Sequence, residues 1–315
     1  MARDTISAAP GGIAAPASQP TTTASQPVTG AVTGVTTRRR KRASIGRIAL
    51  YTILTITALV WLIPLVTSLY TAIRTFGDTT QYGPWSFPPH SFTLANFSQA
   101  WVQGDFSQYF LNTFLVVIPS IVLMLLGSSM TAYVLARHEF RGRKFLYVTY
   151  VAGMLLPYQV LIIPVYWLSN QLNIYNTPLA LIAIFTTFEF GFCTFVLYGF
   201  MRGIPKELTD AAFVDGASAF QVWWRIILPL CMPALATLAT LEFTWKWNDY
   251  LWPITLISDS RWFTVTAGLG QLQGEFVNNW NEITAGALLV AIPTLIIYVA
   301  LQRYFIGGLL VGSNK

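Results

Sequence analysis

Long apolar runs separated by short polar gaps set the plan of this chain. Six stretches, about 48–70, 113–136, 145–169, 178–201, 226–251 and 284–305, are apolar enough to cross a membrane, which takes roughly 20 mostly apolar residues as a helix. The fifth is the least regular, because Pro229, Pro233, Glu242 and Lys246 interrupt it. One reading closes a surface helix at Pro229 and starts the true span after it. The pattern predicts an all-α polytopic membrane protein with six transmembrane helices.

The polar segments carry the rest. Residues 1–44 are rich in Ala, Thr, Ser, Pro and Gly. Such a segment buries too little surface to offset its ordering entropy, so a disordered tail is expected there. It is not a signal peptide, since no apolar core precedes Arg38–Arg42. The domain plan is therefore a tail, 1–44, and a transmembrane domain, 45–315. The gap 71–111 reads as a loop holding a short helix with Thr93 as N-cap. Within it, His90 follows Pro88 and Pro89 and is read as a solvated loop residue rather than a ligand.

Charge then orients the bundle. Arg38–Arg42, the gap with Arg137, Arg141, Arg143 and Lys144, the gap with Arg202, Lys206 and Arg225, and the end with Arg303 and Lys315 fall on one side. The opposite gaps hold only Arg74 and Arg261. By the positive-inside rule both termini are cytoplasmic, and so is the segment 202–225.

Composition agrees: hydrophobic residues make up 54% and charged residues 10%, with mean hydropathy +0.53, against about 25% charged in soluble proteins. The net charge of +6 does not point to nucleic acid, because the cations abut apolar runs. Cys193 and Cys231 lie inside those runs and behave as small apolar side chains. No His or second Cys stands at ligand spacing from either, so no disulfide framework or metal site is implied.

The polar stretch 205–229 is the most informative. Pro205 suits the first turn of a helix, and Glu207 in that turn complements the helix dipole. Ala211 and Ala212 continue the helix and let another protein's surface approach closely. Gly216 ends it in a left-handed conformation, and Ser218 caps a second helix running through Trp223 and Trp224 to Pro229. An ordinary helix-turn-helix connection between spans has the same local signals.

The spacing narrows this. Asp210-Ala211-Ala212, three residues, Gly216, nine residues, then Ile226-Ile227-Leu228-Pro229 resembles the cytoplasmic signature of the permeases of bacterial ABC importers. That signature begins with Glu where this chain has Asp210, so the carboxylate is kept one methylene shorter. Met154–Pro157 with Ile163-Pro164, the run Trp247–Pro253, and the ending 302–309 are similar to the carbohydrate-uptake branch, in particular to the second permease of the maltose transporter. The resemblance covers residues 45–315.

It implies a sugar importer permease, taking a di- or oligosaccharide, in a bacterial plasma membrane. The implied partners are a second homologous permease, a cytosolic ABC ATPase dimer, an extracytoplasmic sugar-binding protein and membrane lipid. It also implies that Glu207, Asp210, Ala211, Ala212, Asp215, Gly216, Ile226, Leu228 and Pro229 form the ATPase-coupling loop. The chain has no Gly-x-x-x-x-Gly-Lys-Ser/Thr phosphate loop. ATP and Mg are therefore expected on the partner ATPase, with no cofactor and no catalytic residue here.

Charges inside the spans need partners or a cavity. Glu242 and Lys246 stand at i,i+4 and can pair on one helix face. An intrahelical pair or snorkelling is the ordinary reading of them, and a pathway-lining role the other. Trp245, Trp247, Tyr250 and Trp252 mix flat rings with Asn248 and Asp249, a combination that suits sugars. Most of these rings are read as an interfacial belt, leaving Glu189, Asn248, Asp249 and Tyr250 as pathway candidates. An ion-coupled secondary transporter using Glu189 and Asp249 is the alternative, but it gives the cytoplasmic signature no purpose. An intramembrane enzyme lacks a recognisable catalytic motif.

Overall fold

The computed structural model describes residues 45–87, 89–273 and 279–311, with side chains over 46–302 of these. The expected tail, 1–44, and the side chains of the ending 303–309 lie outside the described residues, as do those of Arg303 and Lys315. The chain divides into two units, Met1–Thr55 and Ile56–Lys315. Of the first, only the opening turns of one helix are described; the helical bundle belongs to the second.

The described residues form helices joined by short turns, with one isolated antiparallel bridge between Arg74 and Phe92. In chain order the α-helices are α1 (Ile45–Ala72), α2 (Phe76–Tyr82), α3 (Ala95–Gln103), α4 (Phe106–Arg137), α5 (Arg143–Gly153), α6 (Ile162–Gln171), α7 (Pro178–Thr187) and α8 (Phe190–Arg202). They continue with α9 (Glu207–Val214), α10 (Ala219–Val222), α11 (Leu228–Leu230), α12 (Met232–Asn248), α13 (Leu251–Leu256), α14 (Val265–Leu269) and α15 (Trp280–Val311). Helices α1, α4 and α15 and the pair α7–α8 are each long and apolar enough to cross a membrane, and two bent pairs bring the total to as many as six.

The bends have local causes. The third predicted span breaks between α5 and the 3-10 turn Tyr158–Leu161 that leads into α6, at 93°. Pro157 stands at that break with extended backbone; proline supplies no N–H and bars the residue before it from the helical region. The fifth predicted span bends by 73° between Leu230 and Met232, so its straight portion is α12, beginning after Pro229 and carrying Pro233 in its first turn. Just before Pro229 the helix widens into a π turn, Trp223–Ile227, which accommodates the proline ring against the preceding turn.

Helix α4 is the axis of the bundle, packed against α7, α8 and α12, while α12 also packs on α15. Buried Ser and Thr hydroxyls on α4 are satisfied within the helix: Ser120 donates to the Val116 carbonyl at 2.6 Å and Thr113 to that of Tyr109 at 2.6 Å, as a bilayer interior requires. One core cluster joins α4, α8 and the segment 222–227 around Met124, Leu197, Trp223 and Ile227. A second joins α4, α12, α14 and α15 around Phe106, Phe243, Trp247 and Val265. A third gathers Leu181, Phe185, Trp252 and Leu256. Gly268 is required in the second, because a Cβ there would lie 1.9 Å from the Tyr109 ring.

The loop after α1 is tied down. Arg74 is fully buried and donates to the Asp78 carboxylate at 2.6 Å, to the Gly83 and Pro84 carbonyls at 3.1 Å each, and to the Ser86 hydroxyl at 2.6 Å. Asn96 and Asn281 fix the same turn through the Arg74 carbonyl. His90 is half exposed but not simply solvated: it stacks on Tyr82 at 3.8 Å and its Nδ1 lies 3.3 Å from Asp78. Thr93 is not the N-cap of α3; Leu94 is, and the Thr93 hydroxyl accepts from Ala95 N–H.

The hydrogen bond from Arg74, with the neighbouring positive charge, holds the Asp78 carboxyl below the usual carboxylate range. A folded pKa lowered in this way stabilises above the unfolded value and stops doing so as pH falls through the folded one. Hydrogen-exchange protection over residues 74–87, taken relative to the intrinsic rate at each pH, is therefore expected to be constant from neutral pH down to about 4 and to fall only below that. Loss of protection already near pH 6 would contradict this brace.

Candidate functional site

The segment 205–230 builds a compact projection at one end of the bundle. Glu207 and Asp210 occupy the first turn of α9, where carboxylates meet the positive end of the helix dipole. Pro205 lies just before the N-cap Lys206 rather than inside the first turn. Helix α9 ends in a Schellman motif: Ala217 N–H donates to the Ala212 carbonyl at 2.9 Å and Gly216 N–H to that of Phe213 at 3.1 Å. Gly216 has φ +82°, so the left-handed residue expected from the sequence is present at that position. Ser218 then caps α10, and Gln221 completes a reciprocal pair: its N–H donates to the Ser218 hydroxyl at 3.3 Å and its side-chain oxygen accepts from Ser218 N–H at 2.8 Å.

This projection has two faces. Thr209, Ala212, Val222, Trp223 and Ile227 are buried against the bundle, while Glu207, Asp210, Ala211, Asp215, Gly216 and Pro229 are exposed and Ile226 and Leu228 half-buried. Of the two alanines only Ala211 is free to meet a partner; Ala212 turns inward. Val214, 88% exposed, and Phe220, 60% exposed, add an apolar surface beside the acidic residues. The signature spacing does not point to these two, and only their exposure shows them.

Arg137, read from the sequence only as one of the orienting charges, has a structural role as well. Its guanidinium, at the end of α4, donates to the carbonyls of Met201 at 3.0 Å and Ile204 at 2.8 Å. It thereby satisfies carbonyls at the end of α8 and joins the central helix to the root of the projection.

Deeper in the bundle, Lys246 lies between two carboxylates. Its Nζ is 2.5 Å from Glu242 and 3.0 Å from Glu189. The i,i+4 pair read from the sequence is present, but it is part of a triad. Glu189 joins from the break between α7 and α8, 57 residues away in the chain, and no local pattern relates it to Lys246. Glu242 also accepts from the Cys193 thiol at 3.4 Å, and Lys246 stands 5.9 Å from the Phe185 ring centre. Both members of α12 are buried, whereas the Glu189 side chain keeps 25% exposure.

The remaining pathway candidates sit at the turn after α12. Asp249 accepts from Trp252 N–H at 2.9 Å. Asn248 and Tyr250 are exposed beside it. The belt reading of the aromatic residues fails for two of them. Trp247 is completely buried among Phe110, Phe114 and Phe243, with its N–H donating to the Val290 carbonyl at 2.9 Å, and Trp252 is buried beside Tyr158 and Phe188. Tight packing against α15 and α7 leaves these rings no lipid to face.

Residues 124–309 match the model of the family described as "binding-protein-dependent transport system inner membrane component". The chain is 34% identical over 230 residues to the arabinooligosaccharides transport system permease AraQ of Halalkalibacterium halodurans, covering 73% of this chain and 82% of the relative. It is 32% identical over 254 residues to the melibiose/raffinose/stachyose import permease MelC of Bacillus subtilis, covering 80% and 91%. Its fold resembles a chain of a bacterial ABC transporter involved in the import of alginate, with a TM-score of 0.74 at 21% identity over 83% of this chain and 96% of the other. The chain belongs to the family of binding-protein-dependent transport system inner membrane components.

Proposed function

We propose that this chain is one permease subunit of an ATP-driven importer for di- or oligosaccharides. The observation that carries the proposal is the projection 205–230: two capped helices around Gly216, with exposed Asp210 and Asp215 beside Val214 and Phe220, rooted through Arg137 in the central helix. A surface so braced transmits a push from a cytosolic partner into the bundle. The substrate class rests on the relatives, which are named for the import of oligosaccharides.

In this reading a second homologous permease completes the pore, a cytosolic ABC ATPase dimer holding ATP and Mg docks on the projection, and an extracytoplasmic binding protein delivers the sugar. Closure of the ATPase dimer carries the docked loops inward and rocks the two permeases from inward-facing to outward-facing. Sugar then enters the cavity, and hydrolysis resets the pore. Glu189, Asn248, Asp249 and Tyr250 are the groups offered to the pathway, with Asn248 and Tyr250 supplying an amide and a ring where hydroxyls and an apolar sugar face need them. Both termini are cytoplasmic in this arrangement, as the basic gaps require. Nothing favours ion coupling: Glu189 is held by Lys246, and Asp249 accepts from the backbone.

Uptake of a labelled oligosaccharide panel by a deletion strain, with and without this gene, tests the proposal. The expected result is uptake of one or a few oligosaccharides that needs both this chain and a functional ATPase. Uptake that survives loss of the ATPase and collapses with an uncoupler would overturn it.

A further inference from the structure

A cavity of about 450 Å³ opens at the same end of the bundle as the projection, between the end of α4, the start of α5 and α8. Its walls are Arg143 and Lys144 on one side and Phe140, Phe145, Tyr147 and Tyr198 around them. Among the described residues, neither Arg143 nor Lys144 has an ion pair or a side-chain hydrogen bond, and Arg141 stands unpaired beside them. Across the cavity Tyr147 and Tyr198 pack at 4.6 Å between ring centres, and Arg202 lies 5.8 Å from the Tyr198 ring centre. Cations without a partner among the described residues thus border a hollow whose other lining is mostly aromatic.

We propose that this cavity binds the headgroup of an anionic phospholipid of the cytoplasmic leaflet. The inference rests on the cytoplasmic placement of this end proposed above. The ligand chemistry follows from the lining. Arg143 and Lys144 take the phosphate, since basic pockets between transmembrane helices on this side suit such headgroups. The Tyr147 and Tyr198 hydroxyls sit at headgroup level with their rings in the apolar layer, the usual place for amphipathic rings. Phe145, 74% exposed, offers its face to an acyl chain. A protein anion suits the site less well, because the apolar half of the lining then stays uncovered. The site also has a mechanical position: Tyr198 and Arg202 lie on the last turns of α8, next to the carbonyls that Arg137 holds. An occupied cavity ties the 137–144 connection to the helix that leads into the projection.

The test is a lipid titration of the full chain, purified with its accompanying subunits in mild detergent and read by native mass spectrometry. Phosphatidylglycerol is expected to bind saturably and phosphatidylcholine not. The doubly neutralised variant Arg143→Gln/Lys144→Gln is expected to lose phosphatidylglycerol affinity by about 30-fold, two cations' worth. The charge-conserving exchange Arg143→Lys/Lys144→Arg is expected to stay within about threefold of the parent, which separates lost charge from lost folding. Equal binding of the two lipids, or unchanged affinity in the neutralised variant, would overturn the proposal. Displacement of the lipid by millimolar inorganic phosphate would reassign the cavity to a soluble anion. Loss of the co-purifying ATPase with lipid binding intact would reassign it to a protein contact. Because the titration is made in detergent, it reads the cavity whichever side of the membrane it faces; a reporter fused after Lys315 checks the orientation separately.

Discussion

A Gly216→Val chain is expected to reach the membrane in normal amount and to support less than about a tenth of parental uptake. Gly216 has φ +82°, and among the described residues no atom beyond Gly216 itself and its two chain neighbours lies within 4 Å of where a Cβ would stand. The substitution therefore meets no internal clash, and its cost is conformational, on the order of 1–2 kcal/mol for a left-handed L-residue and worse for a β-branched one. Strain released by unwinding the Schellman turn re-aims Asp215 and the start of α10, and the added isopropyl group occupies the exposed surface itself. Gly216→Asn, which tolerates the left-handed region, should retain much of the uptake. Asp210→Lys keeps the backbone and reverses the charge; its uptake should fall as far, with weaker retention of the ATPase on purification. ATPase-independent, undiminished uptake in Gly216→Val and Asp210→Lys together would falsify the coupling role.

Lys246→Met is expected to be the most damaging single change to the bundle. It preserves length and apolar volume but strips Glu242 and Glu189 of the ammonium between them. Removing one partner of a buried ion pair costs about 3–5 kcal/mol, because the other charge is left uncompensated. Membrane levels and the thermal midpoint in detergent should both drop. Adding Glu242→Gln should restore much of the loss, since the remaining carboxylate, Glu189, keeps contact with solvent. A Lys246→Met chain as stable as the parent would show that the triad contributes nothing. A double variant that is stable yet inactive in uptake would give the triad a role in translocation.

How much is legible without the fold differs from site to site. Gly216 and Ser218 can be read because caps and left-handed turns are decided by the chemistry of one residue and its near neighbours, and the structure places both as expected. Glu242 and Lys246 can be paired because i,i+4 residues share a helix face. Glu189 cannot be added to them, since its approach depends on how α8 packs against α12. Trp247 and Trp252 depart from the expected belt for the same reason. A tryptophan near the end of an apolar run looks alike whether lipid or another helix covers it, and here α15 and the helices near α7 do. Ala212 and Ala211 are indistinguishable in sequence, yet one side of α9 faces the bundle and the other does not.

The sequence by itself determined what short-range physics controls: apolar lengths that demand membrane helices, prolines that bend them, and the capped turn at Gly216. It also carried the family resemblance, because that signature is a matter of spacing along one segment. The tertiary structure decided which charges meet and which faces remain open. It placed Glu189 against Lys246, Arg137 under the projection, and Arg143 and Lys144 beside an aromatic hollow. Those outcomes depend on the relative rotation and height of helices distant in the chain, which are set by the packing of many side chains at once and by no single stretch of residues.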